Sequence, residues 1–121
     1  VGFVLNVHEG PQKIAPGNSA TPLQPGMVVS NEPGLYRTGQ YGIRIENLMA
    51  VEKAGSESFG EFLSFETLTL CPIDVRLVDA HQLNDAEREW LNEYHRVVRE
   101  ELQADLTDDD RGWLEHATRP I

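Results

Sequence analysis

The hydrophobic period changes once along this chain, and that change limits the folds open to it. Up to about residue 70 the apolar residues come in short alternating runs broken by glycine and proline, whereas from Leu83 onward they recur every three or four positions. Alternation puts every second side chain on one face of a strand; the longer spacing builds one stripe along a helix. Strands followed by helices predict an α+β fold. In the first part, Phe3, Leu5 and Val7 alternate up to His8-Glu9-Gly10-Pro11, and residues 11–25 read as an irregular connection. Residues 27–31 are a β-branched strand candidate that stops at Glu32-Pro33-Gly34. Residues 35–40 read as turn-rich. Residues 42–51 form one strand candidate, with Ile43 and Ile45 on one face and Arg44 and Glu46 on the other. Residues 54–60 read as a tight polar loop, and 62–70 as a last strand before Pro72.

The helical part carries its own start signals. Asn84 stands where an N-cap belongs, with Glu87 three residues on, an asparagine form of the capping box. Trp90, Leu91, Tyr94, Val97, Val98 and Leu102 then predict a helix over about 85–104 that buries one stripe. Thr107 followed by three aspartates predicts a second, shorter helix with Trp113, Leu114 and Ala117 on one side. Both tryptophans are expected in core or interface packing.

Charge separates the same two parts. The 121 residues carry a formal charge of -10; residues 1–60 hold five acids and four bases, and residues 61–121 fifteen acids and six bases. Nucleic-acid phosphates are held by clustered Lys and Arg, and no such cluster exists here, so a nucleic-acid partner is not expected. No apolar run approaches the roughly 20 residues of a membrane-spanning helix, and no basic segment followed by an apolar one opens the chain. The single cysteine, Cys71, cannot close an internal disulfide, which suits a reducing cytoplasm. Its neighbours Leu70 and Pro72 suggest a buried, inert thiol. The chain lacks an initiator Met and opens within an apolar run, so it is expected to be a piece of a longer protein.

Two carboxylates are candidates for chemistry. Glu32 ends a strand candidate just before Pro33-Gly34, and Glu46 shares a strand face with Arg44. If their strands are antiparallel neighbours, the two can converge as oxygen ligands of a divalent cation; otherwise both are exposed edge-strand glutamates. Arg44 is either a surface charge or the group that orients Glu46 by a charge-assisted hydrogen bond. His8, in a turn, reads by itself as a solvated surface group or a site residue.

Three motifs in order, Asn6-Val7-His8-Glu9-Gly10-Pro11, Pro25-Gly26-Met27-Val28-Val29-Ser30-Asn31-Glu32-Pro33-Gly34 and Gly42-Ile43-Arg44-Ile45-Glu46-Asn47, resemble aminopeptidase P, the Xaa-Pro aminopeptidases of the pita-bread metallopeptidases. Residues 65–74 and the helices after them resemble the C-terminal extension of the longer, three-domain form. The resemblance implies a C-terminal part of a pita-bread catalytic domain, with mixed or antiparallel strands, over residues 1–60. A two-helix extension with one strand then occupies 61–121. It also implies two divalent metal ions, most often manganese, held by two Asp, one His and two Glu. Glu32 and Glu46 match the glutamates, with Glu46 bridging both ions and Glu32 carrying the proton to the leaving nitrogen; His8 matches a substrate-contacting histidine. The implied reaction removes an N-terminal residue that precedes proline, in a cytoplasmic homodimer. Three of the five ligands are not in this chain, so by itself it is expected to be inactive and to bring its uncovered apolar surface together by self-association. Alternatives are a noncatalytic dimerisation module, or part of a prolidase or creatinase-like enzyme.

Overall fold

A computed structural model of the protein describes residues 1, 6–17 and 19–121. The architecture is α+β, antiparallel strands followed by two helices, in two compact units, Val1–Thr69 and Leu70–Ile121. The division falls after the last strand. The expected first strand over Phe3, Leu5 and Val7 lies mostly outside the described residues; Val7 and His8 themselves form a bend.

The first unit holds five strands: β1 (Val28–Asn31), β2 (Gly34–Arg37), β3 (Tyr41–Arg44), β4 (Asn47–Glu57) and β5 (Gly60–Thr67). Strands β1, β4 and β5 form an antiparallel sheet with β4 in the centre, and β2 pairs with β3 in a separate ribbon. Three expectations change here. Residues 34–37 are a strand, because Gly34 and Gly39 bracket a run of β-formers; the turn is only Thr38-Gly39-Gln40, with Gly39 at φ 71°, a left-handed position that favours glycine. The single strand expected over 42–51 is two, interrupted at Ile45 and Glu46. The polar stretch 54–60 is mostly strand, since pairing with β5 satisfies its backbone; Ala54 is an extra residue between Lys53↔Leu63 and Gly55↔Phe62, and only Ser58 and Phe59 turn. Val29 and Val51 are buried at the centre of this sheet, and Asn47 is buried at the start of β4.

The second unit begins with an extended segment and a single 3-10 turn, Val75–Leu77, capped by Asp74. Helix α1 (Asp85–Leu102) starts with the expected reciprocal cap: Glu87 N donates to Asn84 Oδ1 and Asn84 N to Glu87 Oε2, both at 2.9 Å. It gives way to a 3-10 turn, Gln103–Asp105, two residues before the expected end. Helix α2 (Asp108–Ala117) is capped by Thr107, whose Oγ1 accepts from Asp110 N. Tyr94, Val98 and Leu114 form the core, flanked by Leu70, Ile73, Leu102 and Leu106. One expectation narrows in this unit and one fails. Trp90 and Trp113 are 55% and 61% exposed, which removes core packing as their role, and Cys71 is exposed because its main chain, not its thiol, is turned to α1.

Candidate metal and substrate site

The candidate site lies where the three-stranded sheet and the two-stranded ribbon of the first unit join. Asn31 faces Asn47 in one sheet and Gly34 faces Arg44 in the other; the two ladders share one register, in which Pro33 stands opposite Ile45 and Glu32 opposite Glu46. Ile45 N donates to Pro33 O at 3.3 Å, but proline has no N–H to return the bond, so the ladder breaks at this point. The antiparallel arrangement on which the convergence of the glutamates depended is therefore present, and its interruption is built from Glu32, Pro33, Ile45 and Glu46.

Like charges facing each other across strands repel. Arg44 relieves this: its Nη1 lies 3.1 Å from Glu32 Oε2 and 3.7 Å from Glu46 Oε2, with Glu32 the most shielded of the three side chains. The second Glu32 oxygen accepts from Ser30 Oγ at 2.8 Å. Arg44 is thus no loose surface charge; it sits between the two carboxylates. Its Nε donates to Tyr36 Oη at 2.7 Å, and this bond, reinforced by the two glutamates, raises the guanidinium pKa above its ordinary value.

Two glycines make room for that tyrosine. Tyr36 pairs with Gly42 across the ribbon, and Gly34 pairs with Arg44, so all four share one face. A Cβ at Gly42 would meet Tyr36 Cδ1 at 2.8 Å, and one at Gly34 would meet Tyr36 Oη at 2.5 Å. The ring lies flat over bare backbone and carries its hydroxyl to Arg44. Reading 35–40 as turn missed Tyr36, and Ser30 was also missed; the available signal was Gly34 and Gly42, each an even number of positions from the tyrosine.

His8 is exposed, and with Glu9, Gln12, Val29, Ser30 and Glu32 it lines an open cavity of about 320 Å³, at the lower end of small-molecule sites. His8 and Glu32 therefore share a cavity, while Arg44 and Glu46 stand outside its lining. Among the described residues no group of three or more His, Cys, Asp or Glu side chains gathers as a metal site. Two carboxylates already converging on one positive nitrogen are hard oxygen donors of the kind a divalent ion takes, and so fit part of such a centre. They supply fewer donors than one ion needs.

Strands that aim paired glutamates at a cation, followed by a helical unit, define a class, and comparison gives it a name. Residues 1–53 match the model of metallopeptidase family M24, and residues 61–121 match the C-terminal region of peptidase_M24. The chain belongs to metallopeptidase family M24. It is 47% identical over its whole length to a probable Xaa-Pro aminopeptidase P of Coprinopsis cinerea, of which it covers 21%, and 49% identical to aminopeptidase P2 of Arabidopsis thaliana, of which it covers 18%. The crystal structure of an X-prolyl aminopeptidase from Caenorhabditis elegans, described as a cytosolic enzyme with a di-nuclear active site, superposes with a TM-score of 0.83 at 41% identity. That match spans 97% of this chain and 20% of the worm enzyme's chain. The chain thus spans about a fifth of the length of the relatives it matches.

Proposed function

We propose that residues 1–60 form the late part of the catalytic domain of an Xaa-Pro aminopeptidase, and residues 61–121 its C-terminal extension. The whole protein would release the N-terminal residue from peptides with proline in second position. The observation that supports this most is Glu32 and Glu46 drawn to one guanidinium across a broken ladder. In this reading Glu32 and Glu46 each lend a carboxylate to a centre of two divalent ions, manganese being the proposed metal. The ions, when bound, supply Lewis-acid stabilisation of charge developing on the scissile carbonyl. Glu32 carries a proton to the proline nitrogen, which is a ring nitrogen without a hydrogen in the substrate. Its bond from Ser30 Oγ fixes the carboxylate's rotation, so that one oxygen stays directed toward Arg44. His8, on the wall of the same cavity as Glu32, contacts the substrate. Arg44 keeps the two carboxylates side by side. The proposed setting is a cytoplasmic homodimer.

The chain by itself is proposed to be inactive, because two carboxylates and an imidazole are too few ligands to hold two ions. The test measures bound manganese per chain and turnover of an Xaa-Pro-Yaa peptide, for this chain and for the longer protein that contains it. Metal and turnover in the longer protein only is the expected result. Stoichiometric metal with turnover from the 121 residues would overturn the inactivity, and a strict preference of the longer protein for Xaa-Pro dipeptides would favour a prolidase instead.

A further inference from the structure

Two neighbouring side chains on α1 hold the opening segment of the helical unit by its main chain. Tyr94 Oη donates to Cys71 O at 2.8 Å and accepts from Cys71 N at 3.4 Å, while His95 Nε2 accepts from Ile73 N at 3.0 Å. Residue 72 is proline, so these two bonds engage every backbone N–H of residues 71–73. His95 is fully buried, and it is the only buried imidazole among the described residues. For Nε2 to accept, it must be unprotonated, which leaves the hydrogen on Nδ1; that atom is buried and has no partner among the described residues.

The charges around the ring offer a proton no welcome. On α1, Arg99 is the charged group that acts on it, and this cation is turned toward Thr118 O and Oγ1; Glu93, Arg96 and Glu100 pair with one another at the surface. On the opening segment Cys71 is exposed and Asp74 is committed to Arg76. From α2 and its end, Leu114 and Thr118 are uncharged, and His116 hydrogen-bonds with Arg119.

We propose that His95 is an acid-sensitive clasp: neutral, it holds residues 71–73 on α1, and protonated, it loses its acceptor and releases them. Burial, with Arg99 adding to it, pushes the His95 pKa below its usual 6.5. A histidine with a lowered folded pKa stabilises the closed state fully above 6.5, and that contribution is lost as pH falls from 6.5 toward the folded value. Nothing in the candidate metal site enters this inference.

The experiment follows His95 by the NMR signal of its ring C2–H and Ile73 by amide hydrogen exchange, corrected for intrinsic exchange rates, from pH 7.5 to 4.5. The expected result is a protection factor at Ile73 that falls about tenfold per pH unit below 6.5, levelling off at the His95 midpoint, while Val29 and Val51 in the sheet keep theirs. His95→Gln, which keeps a neutral acceptor, should flatten the profile. Titration of His95 at or above 6.5 with Ile73 protected throughout, an equal loss of protection at Val51, or a step that survives in His95→Gln would each overturn the proposal. Should that substitution prevent folding, agreement or disagreement between the two wild-type midpoints still decides.

Discussion

In the proposed function Glu46 and His8 have separate jobs, holding metal and contacting substrate. Glu46→Gln keeps the side chain's shape but removes its charge, so in the longer protein it should abolish metal retention and turnover together, read by bound-metal analysis and peptide cleavage. His8→Ala should leave the metal in place and lower turnover; loss of metal from that variant would contradict a substrate-side role. Gly42→Ala tests the support behind them. The added methyl would strike Tyr36, whose ring is exposed and can swing aside, so the fold should survive while the Tyr36–Arg44 bond opens. The Arg44 Hε signal should then move toward that of a solvated guanidinium. Glu32, Arg44 and Glu46 were legible in the chain because alternation and the Pro33-Gly34 stop are local. Tyr36 was not, since its role depends on the strand beside it.

Helix starts are the most self-contained features of this fold, and they emerged as expected. Asn84, Glu87 and Thr107 each satisfy backbone donors within three residues, so no distant partner is needed to recognise them. Asn84→Ala should cost about 1 kcal/mol and lower the thermal midpoint of α1 followed by circular dichroism, with the sheet unaffected. Strand limits were less legible. A polar stretch such as 54–57 looks like loop until its cross-strand partners are known, and the break at 45–46 is imposed by the proline that faces it between β1 and β2. His95, which carried no assignment from sequence, is decided by packing in the same way: only the fold turns its ring inward to Ile73 N.

Each unit, among the described residues, presents apolar groups that it leaves exposed. Leu35 and Ile43 are exposed on the ribbon, Ile45 just after it, Phe59 is 80% exposed at the β4–β5 turn, and Trp90 and Trp113 are exposed on the helices. Groups of this size left in water favour association, so sedimentation of the 121-residue chain should give a mass that rises above 13.6 kDa with concentration. A constant monomer mass would count against this. The charge of -10 opposes such association without preventing it, because most of it lies on solvated helix surface. Hydrophobic period, capping residues and the uneven charge were written in the order of amino acids, because each acts over a few positions and needs no partner. The shared register that sets Glu32 opposite Glu46, the tyrosine that steadies Arg44, and the burial of His95 rather than the tryptophans required the folded chain, because each depends on residues far apart in sequence meeting in space.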